Sequence, residues 1–157
     1  MKVKISDIMD AVGFNSDMSD SFLNTKTKEV CMFAHDEIQA AENDEDLSNS
    51  AEWYCEAVTR AKHYVENLDD YLPLPEQYDF NEYRVMEKFI SQVVASLPLG
   101  LKQSAVLSEA IEGKGAFRRF KIALERLELR EEWYRFRDQK LREFVEFWCI
   151  ENQIDFE

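Results

Sequence analysis

The sequence predicts a mainly helical α+β fold: a single compact domain over residues 1–157, with six to seven helices and a short N-terminal β-hairpin. Three observations lead there. Glycine and proline are scarce, 4 and 3 of 157 residues, which disfavours a loop-rich all-β chain. Apolar residues recur at three- and four-residue spacing in several long segments. Two β-prone runs flank a polar turn near the N-terminus. At 45% hydrophobic and 13% aromatic, the chain can bury one substantial core despite 32% charged residues.

Taken in order, residues 5–13 read as a short helix with Ser6 as N-cap, Ile8, Met9 and Val12 on one face, and Gly13 in the left-handed position that ends it. Residues 15–20 are polar and read as a loop. Ser21–Asn24 and Val30–Phe33 form the hairpin; no Asn-Gly or Asp-Gly specifies its turn. A short helix spans about 36–42 and ends in the acidic loop Glu42–Asp46. That loop lacks the alternating ligands, central glycine and terminal glutamate of an EF-hand, so it reads as solvated. Residues 50–68 make an amphipathic helix capped by Ser50, with Tyr54, Ala57, Val58, Ala61, Tyr64, Val65 and Leu68 inward.

Pro73 and Pro75 force extended backbone at Leu72 and Leu74, giving an apolar connection packed on the core. The next helix, about 80–96, is capped by Asp79 with Glu82 reaching back to it. Its stripe of Val85, Met86, Phe89, Ile90, Val93 and Val94 marks it as the most buried helix. Another helix runs from about 101 to 112 and stops at Gly113. Beyond it, Phe117, Phe120, Leu124 and Leu127 form one core face; Trp133, Phe136, Leu141, Phe144 and Trp148 form a second. The two are out of phase: extending the first by sevens would bury Glu131 and Asp138. The reading is therefore a helical hairpin with a break near 128–130; a single bent helix is the alternative.

Charge is unevenly spread. The net −13 keeps the chain soluble and opposes phosphate-rich partners, so nucleic acid is not expected to bind. Residues 114–142, however, hold ten bases against five acids. No apolar run approaches the roughly 18–20 residues of a membrane span. Asp7 and Asp10 interrupt any signal-peptide core, so a cytoplasmic protein without membrane association is expected. Cys31, Cys55 and Cys149 show no CxxC pair and read as small apolar residues of a reducing compartment.

Several stretches together resemble the bacterial family catalogued as uncharacterised protein family number 158. They are Tyr71-Leu72-Pro73-Leu74-Pro75, Asp79-Phe80-Asn81-Glu82-Tyr83 with Met86 and Phe89, the string GKGAFRRFK at 113–121, Glu132-Trp133-Tyr134 with Phe136-Arg137, and Trp148-Cys149. Thr27-Lys28-Glu29 stands where the family often has Thr-Gly-Glu. The resemblance implies a soluble bacterial or phage protein; it brings no established activity, cofactor or catalytic residue.

No constellation defines a chemistry. Cys55 and His63 on one helix are over two turns apart and form no dyad. His35 with Asp36 and Glu37 lacks metal-ligand spacing, and Ser104 and Ser108 lack a nucleophile-elbow context. No cofactor or metal is expected, and an enzyme is the less favoured class. What stands out is a ligand- or partner-binding surface at 113–137: Lys114, Gly115, Arg118 and Arg119 at a helix start, with Arg137 beyond. Two glycines permit close backbone approach, and a helix N-terminus favours anions. It is neither a P-loop nor a dinucleotide fingerprint. The bland reading is a tight turn with a solvated basic face. The functional reading is a small interaction module with a protein partner. The rivals are an enzyme or nucleotide-binding protein for a phosphate-bearing small ligand, and an acidic inhibitor that mimics DNA.

Overall fold

A computed structural model describes residues 1–14 and 17–157. Among these lie seven helices of eight residues or more and one three-stranded antiparallel sheet. The chain divides into two compact units, Met1–Gln77 with Val145–Glu157, and Tyr78–Phe144.

In the first unit, helix α1 (Ile5–Gly13) buries Ile5, Ile8 and Val12. Ser6 lies inside it, Lys4 takes the cap position without a side-chain bond, and Gly13 is not left-handed. The expected capping at both ends is thus corrected; the apolar face alone holds the helix. Val3 pairs in parallel with Phe156, through Val3 N–H to Asp155 O (3.0 Å) and Glu157 N–H to Val3 O (2.9 Å), so the two ends of the described chain meet. Of the polar stretch at 15–20, Asn15 and Ser16 lie outside the described residues, and Ser19 and Asp20 already belong to a strand.

The hairpin forms from β1 (Ser19–Asn24) and β2 (Glu29–Ala34), in register Phe22 with Cys31. Its turn is specified after all, by Asn24. The buried Asn24 carboxamide oxygen accepts from the N–H groups of Lys26 (2.9 Å) and Thr27 (3.2 Å), and Lys28 takes the left-handed conformation. Such a side chain mimics a backbone turn, which removes the need for glycine. A third strand, β3 (Tyr71–Pro73), adds to the far side of β1 and gives the order β2-β1-β3. The connection expected there is extended because of its prolines, and an extended segment beside an open strand edge pairs. Pro73, which has no N–H, stands on an edge strand where its outer side needs no partner.

Helices α2 (His35–Glu42) and α3 (Glu52–Glu66) cover the sheet. Phe22, Phe33, Ala40, Ala41, Val58 and Ala61 make the core, and Tyr64 and Tyr71 pack against it. Tyr64 lies 4.6 Å from Phe22 and 5.2 Å from Phe33, ring to ring, within the range of favourable aromatic pairs. Ser50 does not cap α3; the cap position is Ala51.

The second unit begins within a single turn, α4 (Gln77–Phe80), and continues with α5 (Glu82–Gln92). Asn81, left-handed, caps α5 by accepting from Arg84 N–H, in place of the expected Asp79 and Glu82 box. A 3₁₀ turn at Val94–Ser96 leads to α6 (Gly100–Ala110), α7 (Ala116–Arg126) and α8 (Arg130–Glu151). Phe89 is fully buried, with Phe120, Trp133 and Phe136 around it at 5.4–6.3 Å between ring centres.

The hairpin break between α7 and α8 falls at 127–129, and the bent-helix alternative is excluded. Glu128 is left-handed and Leu129 N–H reaches back to Leu124 O (2.9 Å), a closure normally built on glycine. Phe117, expected in the core, is 49% exposed; Ala116, Phe120, Ala123 and Leu124 form the buried face of α7. At 100° per residue that face runs from Ala123 through Ala116 and Phe120 to Leu124, and Phe117 lies beyond Leu124 at its edge. The division at 144/145 falls inside α8, where Val145 and Cys149 rather than the flanking Phe144 and Trp148 are the fully buried residues.

Candidate functional site

The candidate surface lies where α6 ends and α7 begins. A helix end leaves carbonyls without intrahelical donors. Here the carbonyl of Ala110, the last residue of α6, and those of the loop after it are met by side chains. The Arg119 guanidinium folds back over the loop: Nε donates to Ala110 O (2.8 Å), and its two terminal nitrogens donate to Lys114 O and Glu112 O. The Tyr83 hydroxyl donates to Ile111 O (2.9 Å). Four of the five carbonyls of the 110–114 segment, those of Ala110, Ile111, Glu112 and Lys114, are therefore engaged by two side chains. A cation at the C-terminus of α6 also opposes the negative end of its dipole.

Gly113 and Gly115 have φ of +74° and +79°. A Cβ on Gly115 would also stand 2.9 Å from the Arg119 terminal nitrogen. The left-handed φ accounts for glycine at both positions, and at Gly115 the missing Cβ also leaves room for the end of Arg119.

The five sequence-designated residues thus take different places. Arg119 and Gly115 build the turn. Arg137 on α8 donates through Nε to Glu82 Oε1 at 2.5 Å, both side chains about three-quarters buried, and lies over the Phe80 ring at 5.7 Å. Arg has the planar, delocalised charge that suits such a combined role. Lys114 and Arg118 point to solvent.

The outward face of α7 continues from Arg118. Arg118, Ile122 and Arg126 recur at four-residue spacing, one stripe on a helix. Lys121 and then Phe117 lie to one side of it. Ile122 is 43% exposed. Arg118, Lys121 and Arg126 have no ion pair among the described residues; Glu125, the acid on this face, is paired with Arg130 at 3.6 Å. Lys121 and Arg126 fall within the expected 113–137 surface, off the core face, but were not among the residues singled out there, and the exposed Ile122 carries no signal in the sequence. Sequence reasoning missed Tyr83 because no spacing signals a single hydroxyl that reaches 28 residues ahead.

Elsewhere His35, His63 and Cys55 have local partners. His63 Nδ1 lies 2.8 Å from the Tyr71 hydroxyl, and Cys55 Sγ lies 3.5 Å from Leu47 O. His35 pairs with Asp20 (3.1 Å), not with its sequence neighbours. Burial, and secondarily Glu146, pushes the Cys149 thiol up to about 11, so it stays protonated at neutral pH. Among the described residues no group of three or more His, Cys, Asp or Glu is arranged to hold a metal ion, and no helix is long and apolar enough to cross a membrane.

The chain thus combines a helix-rich architecture, a small antiparallel sheet and the GKGAFRRFK turn. It belongs to uncharacterised protein family UPF0158, whose profile matches residues 1–157. Comparison with curated proteins and with solved structures returns no match to either.

Proposed function

We propose that this protein is a small interaction module of the bacterial cytoplasm that binds a protein partner through the outward face of α7. The observation that carries the reading is the stripe Arg118–Ile122–Arg126 with Lys121 and Phe117 beside it. Among the described residues Arg118, Lys121 and Arg126 have no ion-pair partner; Arg118 and Arg126 bracket the exposed Ile122, and Lys121 and the exposed Phe117 lie further round on one side. Mixed basic and apolar composition suits an acidic protein surface that also offers an apolar anchor. A phosphate-bearing small ligand is less well served, because Arg119 is turned onto backbone carbonyls.

The test is affinity capture from bacterial lysate with wild type and Arg118→Glu/Lys121→Glu, followed by binding of the purified captured protein. Reversing two surface charges is expected to weaken that complex about tenfold or more, with the loss shrinking at high salt. Both residues are exposed, so thermal stability should hold. A partner bound equally by both proteins would sink the proposal. So would a nucleotide that stabilises wild type and not the variant, because it would favour the phosphate-ligand reading.

A further inference from the structure

Helix α6 has two faces with different tasks. Gly100, Leu107 and Ile111 just beyond it are buried. The opposite face carries Lys102, Ala105, Val106 and Glu109, all exposed, with Leu99 (65% exposed) and Leu101 (92%) at its edge. In a chain with 32% charged residues, the whole stretch from Phe89 to Ser108 contains Lys102 as its one charge. The rest of the second unit, which holds α6, is densely charged, with 11 acids and 13 bases in all.

The charges on this face are placed against the helix's own interest. Lys102 stands in the first turn of α6 and Glu109 in its last, so each meets the like-signed end of the dipole. Seven residues apart, about 10 Å along the axis, they are too distant to pair with each other. Neither has a hydrogen-bonded or ionic side-chain partner among the described residues.

Both charges are accommodated if α6 packs antiparallel on another α6. We infer that the outward face of α6 is a self-association surface, whose occupant is a second copy of this chain related by a two-fold axis between Ala105 and Val106. The register follows from the sequence of the face. Reversal about 105/106 sets Lys102 opposite Glu109 of the second copy and Glu109 opposite its Lys102, while Ala105 meets Val106. Residues 102, 105, 106 and 109 follow the seam spacing of antiparallel helix pairs, and the small Ala105 permits close approach. Each misplaced charge then meets the opposite charge and the favourable end of the facing dipole. A self-complementary patch is what an isologous two-fold contact requires. A face that is apolar in the middle and balanced at its ends is also where two copies of a −13 chain meet without strong repulsion. An 11-residue helix pair is a small interface, so the dimer is weak and concentration-dependent.

Sedimentation equilibrium of the full chain over a concentration series tests this. Wild type is expected to shift from monomer toward dimer. Lys102→Glu and Glu109→Lys, each alone, bring like charges together twice per dimer and are expected to weaken association about tenfold or more. The double variant Lys102→Glu/Glu109→Lys restores it, and so does an equimolar mixture of the two single variants, whose reversed charges are complementary. Leu101→Ser, at a side chain with almost no internal contact, weakens it without changing the thermal melt, which guards against a folding artefact. A wild type that stays monomeric throughout overturns the inference. So does a dimer that neither single reversal affects, or a mixture of single variants that fails to associate. Arg118→Glu/Lys121→Glu should leave the dimer intact, which separates this surface from the α7 face.

Discussion

Phe89→Ala is expected to lower the unfolding free energy by about 3–5 kcal/mol, the range for emptying an aromatic site in a packed core. Phe89 is fully buried. Phe120 and Trp133 meet it nearly edge-on, at interplanar angles of 89° and 70°, and Phe136 is tilted against it. These rings come from α5, α7 and α8, so one truncation removes the contact that three helices share. The cavity cannot close by moving a single side chain, because Phe120 and Trp133 are already packed against each other at 4.9 Å. Urea unfolding measures the effect. Phe147→Ala is the control: Phe147 is 62% exposed, and its loss should stay within about 0.5 kcal/mol. Similar midpoints for the two variants would mean that the second unit is not organised around Phe89.

Gly100→Ala should destabilise by about 2–3 kcal/mol, although alanine is the better helix former by up to about 1 kcal/mol. A Cβ at this position would stand 2.5 Å from Ala95 O and 2.6 Å from Val94 O. Both are backbone atoms of the 3₁₀ turn that precedes α6, so relief requires moving the turn or the helix. The steric term exceeds the propensity gain. A thermal melt decides the sign: a variant more stable than wild type would show that α6 does not approach the 94–96 turn this closely.

The helices could be read from the sequence because their apolar spacing is strong and their loops are short. The phase shift between Phe120–Leu124 and Trp133–Leu141 located the break before α8, even though its left-handed residue is Glu128 and no glycine marks it. The capping residues could not be read as well. Ser6 and Ser50 are good caps by type, yet the helices start elsewhere, because packing of Ile5 and of Ala57 and Val58 sets where each helix lies. Strand β3 was legible as extended backbone, but a three-residue strand carries no periodicity that names its neighbour.

The surface was the least legible part. GKGAFRRFK invites an anion site when its cations are counted as equal. Arg118 and Arg119 are adjacent in sequence but about 100° apart around α7. That rotation alone sends Arg119 to the carbonyls that end α6 and Arg118 to solvent. Which way each points depends on where α6 finishes, a tertiary fact. Arg137 was similarly drawn to Glu82, a residue first read as a cap for its own helix.

That division of labour within one motif is the central claim, and urea unfolding of Arg118→Ala beside Arg119→Ala tests it most directly. Arg119→Ala removes three charge-assisted bonds to backbone carbonyls and is expected to cost about 2 kcal/mol, a value held down by the exposure of the guanidinium. Arg118→Ala should change stability by no more than about 0.5 kcal/mol. Equal midpoints for the two variants, or a larger loss for Arg118→Ala, would contradict the account.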